Sequence, residues 1–393
     1  ASVAGAGNDL TLTAGGNTSL GNVSGVGALD VDGTSTLTGT SYAANSEIFG
    51  GAVTLTGDTT LTTTGDLAVA SVTGAGNDLT LAAGGNTLLG NLADVGALDL
   101  DGTSTLTGTS YKAASETFGG ALTLTGDTTL DASGAIAVAS VTGGSNSLTL
   151  DGSSVSLGDV AGVDALTVGG PATLTGTSYA ANSMDLGAVT MTGDNTLDTS
   201  GDNGEIVVAS IDGTTAGGQS LDINAGAGNV SLGNLGAATR LGAVNDASKT
   251  TLKGSTYDAN SFVFDGDVTL TAATTTLNTT QSASAAGDIT FNGDIFGTTD
   301  GAQSLTLVAG SGTGSASANG DISLQNAGTS SLKLGDMKVS GNDFTALTVW
   351  LANDFHSALT GNQVFAADTL HAGGDVNSAV GGDASGHIDA DGD

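Results

Sequence analysis

The 393-residue sequence has no cysteine, a single proline (Pro171) and only six cationic residues against forty acidic ones, for a formal net charge of −34. Without cysteine there is no disulfide and no thiolate chemistry. An extracellular life is still open to it, because a stacked ladder satisfies its own backbone without covalent staples. Six scattered lysines and arginines cannot build the basic face that phosphate neutralisation needs. That argues against nucleic acid as a partner, and equally against an anionic membrane surface. An acidic surplus of this size means solubility and self-repulsion, with divalent cations as a source of relief. Aromatics are scarce too, with 9 Phe, 4 Tyr and 1 Trp. The interior must therefore be filled by rows of Leu, Val, Ile and Ala, which suits a narrow β-solenoid better than a wide sandwich. No apolar run approaches the roughly 18 residues of a membrane span, so no direct membrane insertion is expected in this segment. The chain opens at Ala1, without Met and without a basic region leading into an apolar one, and reads as a mature or excised segment.

Glycine is plentiful, 65 residues, but lacks the every-third-residue period that a collagen requires. Helix is disfavoured throughout: Gly, Thr, Ser, Asn and Asp dominate, and no apolar stripe of helical period persists. The sequence instead repeats itself. Ala1-Ser-Val-Ala-Gly-Ala-Gly-Asn-Asp-Leu-Thr-Leu returns at Ala70, again at Ala139 and more loosely at Ala209, a nearly constant offset. A second marker, Thr-Leu-Thr-Gly-Thr-Ser-Tyr, places its tyrosine at Tyr42, Tyr111, Tyr179 and, in degenerate form, Tyr257. Two distant landmarks keeping nearly one period identify a duplicated structural block, the signature of a solenoid. A length that would ordinarily suggest two or three globular domains need not do so in a solenoid, which grows along one axis.

Inside the block, short alternating runs begin at Leu10, Leu29, Val53 and Leu79, at unequal steps that together make up one repeat. This spacing predicts an all-β parallel β-helix with about three coils per 69-residue repeat. In Thr54-Leu55-Thr56 the leucine points in and the threonines out. Turns fall at Gly15-Gly16-Asn17, Gly57-Asp58 and Gly126-Asp127, where a residue of positive φ costs little. Phe49, Phe118, Leu186 and Phe264 are expected as core fillers of one wide corner. The tyrosines, one every third coil and about 14 Å apart at about 4.8 Å per coil, are expected as packed structural residues rather than a glycan-binding row.

The regular region runs over residues 1–345, in blocks 1–69, 70–138, 139–208 and 209–286 followed by looser coils. Gly287-Asp-Ile-Thr-Phe-Asn-Gly and Gly301-Ala-Gln-Ser-Leu-Thr-Leu belong to these coils, the latter echoing Gly218-Gln-Ser-Leu-Asp-Ile. Gly310 to Gly320 is low in complexity and is expected to protrude as a loop. Residues 346–393 read as a less regular continuation of the β-helix or an end region. Trp350 and all three histidines (His356, His371, His387) lie there, with Phe355 and Phe365.

The phrases Leu10 to Val23 and Leu79 to Leu92, together with Gly-Asp-Ile-Thr-Phe-Asn-Gly and Ala-Gln-Ser-Leu-Thr-Leu, resemble the repeat regions of large bacterial exoproteins. These are the filamentous haemagglutinins and autotransporter passengers. The resemblance covers residues 1 to about 345. It implies a right-handed parallel β-helix, in line with the general rule for parallel crossovers, and also secretion to the cell surface and an adhesive or scaffolding role.

Catalysis is not expected. A polysaccharide lyase of this architecture needs a positioned Arg or Lys beside clustered acids, and the only arginine, Arg240, has no acidic motif beside it. A hydrolase needs paired carboxylates at one cleft, whereas Asp58, Asp127 and Asp194 recur block by block as turn residues. A serine triad needs a histidine, and all three lie in the irregular tail. Calcium is the best chemical candidate. Gly5-Ala-Gly-Asn-Asp9 and Gly74-Ala-Gly-Asn-Asp78 resemble turns of calcium-binding nonapeptide repeats, but they recur once per long block rather than at every ninth position. Asp389, Asp391 and Asp393 copy the opening of an EF-hand loop without its later ligands. The Thr-x-Thr triplets invite an ice-binding reading, against which the unequal steps between runs argue. Two functions follow. One is an extracellular, non-catalytic rod of adhesin type that meets a ligand on a host or neighbouring cell. The other is a subunit of an extracellular filament or sheath, joined to like subunits end to end by strand stacking and stabilised by calcium.

Overall fold

The computed structural model describes residues 2–282, 285–310 and 319–390, and among them the chain is all-β, without a helix. Its ladders are parallel. A short antiparallel pair, Thr280–Ser282 with Ala285–Ala286, and an antiparallel bridge between Thr329 and Leu332 are local excursions from this pattern. The fold is a parallel β-solenoid, divided into two compact units, Ala1–Gly187 and Ala188–Asp393.

In the first unit one file of core residues can be followed rung by rung: Val3, Val23, Tyr42, Leu61, Leu81, Leu100, Phe118, Val138, Leu157 and Leu174. The step along the chain stays nearly constant, from Val3 to Val23 at its longest and from Leu157 to Leu174 at its shortest. Each rung has three straight stretches. In the strand Ser41–Leu55 the buried residues are Tyr42 and Ala44, then Glu47 and Phe49, then Val53 and Leu55. Strict alternation places every second side chain inside. The alternation slips between Ala44 and Glu47 and again between Phe49 and Val53, where the strand turns a corner, and the latter slip coincides with a register shift against Leu67–Thr73. As expected, Leu55 is buried between the exposed Thr54 and Thr56.

The rung is shorter than the sequence runs suggest. Three steps along the file carry the chain only from Val3 to Leu61, whereas one repeat carries it from Val3 to Val72, so the repeat overshoots its third rung by more than half a turn. The expected three coils per repeat is therefore corrected to about three and a half. The physical reason is that the visible runs lie in different files. Leu10 does stack on Leu29, but Val53 stacks on Ser35 and Val72, and Leu79 on Thr59 and Leu98. Equivalent residues of successive repeats consequently occupy different files. Tyr42 has Leu61 above it, whereas Tyr111 belongs to the file of Val72, Leu92 and Leu130. A single row of tyrosines, one every third coil, does not exist.

The chain bends at Gly15, Gly16, Gly57 and Gly126 as expected, but not with the expected backbone angles. Positive φ is absent at Gly15, Gly16, Gly57 and Gly126, and falls instead on pairs such as Ala6 (52°) with Gly7 (86°) and Ala75 (51°) with Gly76 (81°). Two consecutive residues of positive φ make a tight primed turn, which an alanine enters at some steric cost. The turn is closed by Asn8 and Asn77, whose backbone and side-chain N–H groups donate to the carbonyls of Gly5 and Gly74.

In the second unit the ladder persists while the rungs lengthen. Leu221 stacks on Val244, Phe262 on Ile289 and Ile289 on Ile322, each a longer step than any along the file from Val3, whereas the steps from Val244 to Phe262 and from Met337 to Phe355 keep the short length. Phe264 lies between Phe262 and Phe291, with ring centroids 6.1 and 5.1 Å away. Phe344, Phe355 and Phe365 form a second aromatic cluster at 5.8 to 5.9 Å. The Gly310 to Gly320 loop expected from composition lies, over residues 311–318, outside the described residues.

Candidate functional site

The strongest recurring constellation is built around the tyrosines, all four fully buried. Each phenol donates to a leucine carbonyl about one rung back: Tyr42 to Leu20, Tyr111 to Leu89, Tyr179 to Leu157 and Tyr257 to Leu232, at 2.7 to 3.0 Å. Each also accepts from the glycine N–H three places before it, from Gly39, Gly108, Gly176 and Gly254. Burial pushes the phenols up, Tyr179 to about 12, so they remain neutral donors. Beside each tyrosine a side-chain oxygen of the preceding rung, on Asn22, Asn91, Asp159 or Asn234, accepts from two consecutive backbone N–H groups. The Leu-Gly-Asn and Thr-Gly-Thr-Ser-Tyr phrases are thus two halves of one inter-rung lock. The structural reading of the tyrosines holds, and Phe49, Phe118, Leu186 and Phe264 are all core residues.

The turn carboxylates are engaged in the same way. Asp9 accepts from the Ala28 N–H at 2.8 Å and Asp78 from the Ala97 N–H at 2.7 Å. Asp58, Asp127 and Asp194 likewise accept from the backbone N–H groups of Asp78, Ser147 and Ser220. An acceptor side chain at a corner satisfies an N–H that the ladder leaves free. Asp9 and Asp78 are not brought together, and no group of three or more His, Asp or Glu suited to a metal occurs among the described residues. Asp391, Asp393 and the side chain of Asp389 lie outside the described residues.

Arg240 is a clamp. Its guanidinium donates to the carbonyls of Ala259, at 2.7 Å, and Asn278, at 3.0 Å, tying two later rungs together. The Gln-Ser-Leu echo has a similar explanation: Gln219 accepts from the Thr215 N–H, and Gln303 from those of Thr298 and Thr299. In the tail, Trp350 and His371 stack at 3.5 Å on neighbouring rungs.

A surface recess of about 310 Å³ opens beside Asp94, Lys112 and Asp131, with a smaller counterpart of about 210 Å³ at the equivalent Gly25, Ala43 and Thr62 of the first repeat. Lys112 and Asp131 form an exposed ion pair there, at 3.1 Å. Such a pair contributes little to stability.

Sequence reasoning missed three buried acids. Glu47 and Glu116 are 0 % and 1 % exposed, and none of their carboxyl oxygens has a hydrogen-bond partner. Burial raises each to about 8. Asp246 is equally buried and is raised to about 6 by burial, although the Thr250 hydroxyl and the Ser248 N–H both donate to it. A signal was available for the glutamates. The residue five places after each repeat tyrosine is Glu47, Glu116, Met184 and Phe262, so an acid alternates with large apolar side chains at one core position.

No helix among the described residues is long and apolar enough to cross a membrane. Compared with family models, with curated proteins and with solved structures, the chain gives no match.

Proposed function

We propose that this chain is a non-catalytic, extracellular structural segment of a secreted bacterial protein of the adhesin type. It serves as a rod in cell-surface attachment or in a biofilm matrix, coiled right-handedly as the crossover rule favours. One observation carries the reading: the turn aspartates, the repeat tyrosines and the arginine are occupied in holding the backbone of the rungs. The turn aspartates accept backbone N–H groups, the tyrosines bridge a glycine to a leucine, and the sole arginine grips two carbonyls. The outer surface left over is largely threonine, asparagine, aspartate and glycine, suited to solubility and to presenting a ligand on a loop. The partner of this reading is a ligand on a host or neighbouring cell.

Electron microscopy of the purified chain, with and without a chelator, tests it. Separate rods of uniform length, unchanged by the chelator, support the attachment segment. End-to-end filaments support instead the self-assembling subunit joined by strand stacking, and their dissolution by the chelator would give calcium a structural role. Compact particles that are not elongated would overturn both.

A further inference from the structure

Glu47 lies in the file Leu10, Leu29, Glu47, Leu67, and Glu116 in the file Leu79, Leu98, Glu116, Ile136. Each carboxyl is thus packed between aliphatic side chains of the rungs before and after. A lone carboxylate there is very costly, and the neutral acid, though it still carries the penalty of an unpaired polar group, is far less so. The repeats set the acid against apolar side chains internally, since Met184 and Phe262 occupy the equivalent positions and are also buried. A second position changes in parallel. The residue seven places before each tyrosine is Ser35, Ser104, Ala172 and Thr250, and the Ser35 and Ser104 hydroxyls are buried without a partner, as the glutamates are. The polar pair is therefore present in two repeats and replaced by an apolar pair in the third.

Among the described residues no cation is placed to hold either carboxylate. Facing Glu47 are the Tyr42 phenol on its own strand, the outward Asp30 and Asp32 on the preceding rung, and Asp66 on the following one, whose carbonyl accepts the Glu47 N–H. The strands Ser35–Leu37, Thr59–Thr63 and Leu67–Thr73 carry no titratable group. Facing Glu116 are Tyr111 and Lys112 on its own strand, Asp94, Asp99 and Asp101 on Thr87–Asp101, and Asp131 on Thr128–Thr142. The Asp131 charge adds to the effect of burial, and Lys112 lies at the surface, 66 % exposed and paired with Asp131.

We propose that Glu47 and Glu116 are proton-operated fasteners: as neutral acids they complete the core of the first two repeats, and removal of the proton loosens the rungs around them. An opened rung releases the proton because its glutamate returns to an ordinary carboxylate range. Opening is therefore favoured as pH rises from the open-state value towards the closed-state value, and levels off above it. The rungs hold tightest in mildly acidic surroundings. Within the first unit, Glu47 and Glu116 are the carboxyls that burial carries into this window.

The test is hydrogen exchange by mass spectrometry on the full chain, reading peptides that cover residues 41–55 and 110–124 and correcting for intrinsic exchange. Protection is expected to fall by about tenfold per pH unit between about pH 5 and about pH 8. In E47M/E116M, which copies Met184 of the third repeat, and in E47Q/E116Q, the profile is expected to be flat. A flat profile in the native chain, or a slope that survives in either variant, overturns the proposal. Infrared spectroscopy gives a readout that does not depend on how the glutamine variant folds. A protonated-carboxyl stretch at pH 7 that is lost in E47M/E116M supports the fasteners, and its absence from the native chain overturns them.

Discussion

The two units solve the same packing problem with different means. From Ala1 to Gly187 the rungs keep nearly one length along the file from Val3 to Leu174, and the aromatic residues of the core are one tyrosine per repeat with Phe49 and Phe118. From Ala188 onward the steps vary nearly twofold, from the short one between Met337 and Phe355 to the long one between Ile289 and Ile322, and phenylalanines meet one another in two clusters. Rung length is tolerant because extra residues leave the ladder as turns and excursions, and loop closure grows costly only slowly with length. The inward files are not tolerant, since every side chain in them must fit the rungs on either side. Phe262, Phe264 and Phe291 meet at a long rung, whereas Phe344, Phe355 and Phe365 meet where the short step has returned, so the clusters do not simply follow rung length.

The largest effects should come from testing that difference directly. Phe118 stands between Leu100 and Val138, while Phe264 stacks on Phe291 and faces Phe262. Truncation to alanine is expected to cost about 3–5 kcal/mol at either position. Phe264→Ala should exceed Phe118→Ala by about 0.5–1.5 kcal/mol, because it also breaks an aromatic contact. Urea unfolding of the two variants checks this. Equal losses would mean that the aromatic clusters add nothing beyond their volume.

The tyrosine lock should ignore the boundary between the units. Tyr111→Phe and Tyr257→Phe each remove one hydroxyl: the Leu89 and Leu232 carbonyls keep the Thr107 and Lys253 N–H groups as donors, but the Gly108 N–H loses its acceptor and the Gly254 N–H keeps only a long bond of 3.4 Å to the Leu232 carbonyl. Each should lose about 1–3 kcal/mol. A large loss in one unit alone would break the claim that the lock is shared. Asn91→Ala and Asn234→Ala, which free two more exposed N–H groups each, should cost about 1 kcal/mol apiece in the same assay.

Much of this arrangement was legible in the sequence. Alternation with turn residues gave strands, the repeat gave a solenoid, and Phe49, Phe118, Leu186 and Phe264 were recognisable as core. The rung length was not legible, because leucine runs advertise only the apolar rungs of a file. Ser35 and Thr59 occupy inward positions without looking apolar, and Glu47 looks like a surface acid. The turn acids were legible as turns, but their pairing with N–H groups on the next rung depends on the register, which local sequence does not carry. The two halves of the tyrosine lock were both visible as repeated phrases; only the stacking of one rung on the next shows that they meet.

The smallest expected effect separates the third repeat from the others. Where Asn22, Asn91 and Asn234 cradle two backbone N–H groups, the third repeat carries Asp159, accepting from Thr177 at 2.6 Å and Ser178 at 3.0 Å. These donors hold its carboxyl below the usual aspartate range, the Thr177 N–H contributing most. A carboxyl depressed in the folded chain adds stability above its unfolded pKa and loses it as pH falls through the folded value. The third lock should therefore weaken in acid, below about pH 4, while the asparagine locks keep their strength. Asp159→Asn should abolish that dependence and leave stability at neutral pH nearly unchanged, since solvent screens so exposed a group. Exchange of the Thr177 and Ser178 amides, followed by NMR across the acid range and compared with Thr109 and Ser110, distinguishes the two. Equal acid sensitivity at both pairs would show that the carboxylate charge contributes nothing an amide oxygen does not, and the third repeat would then differ from its neighbours in sequence alone.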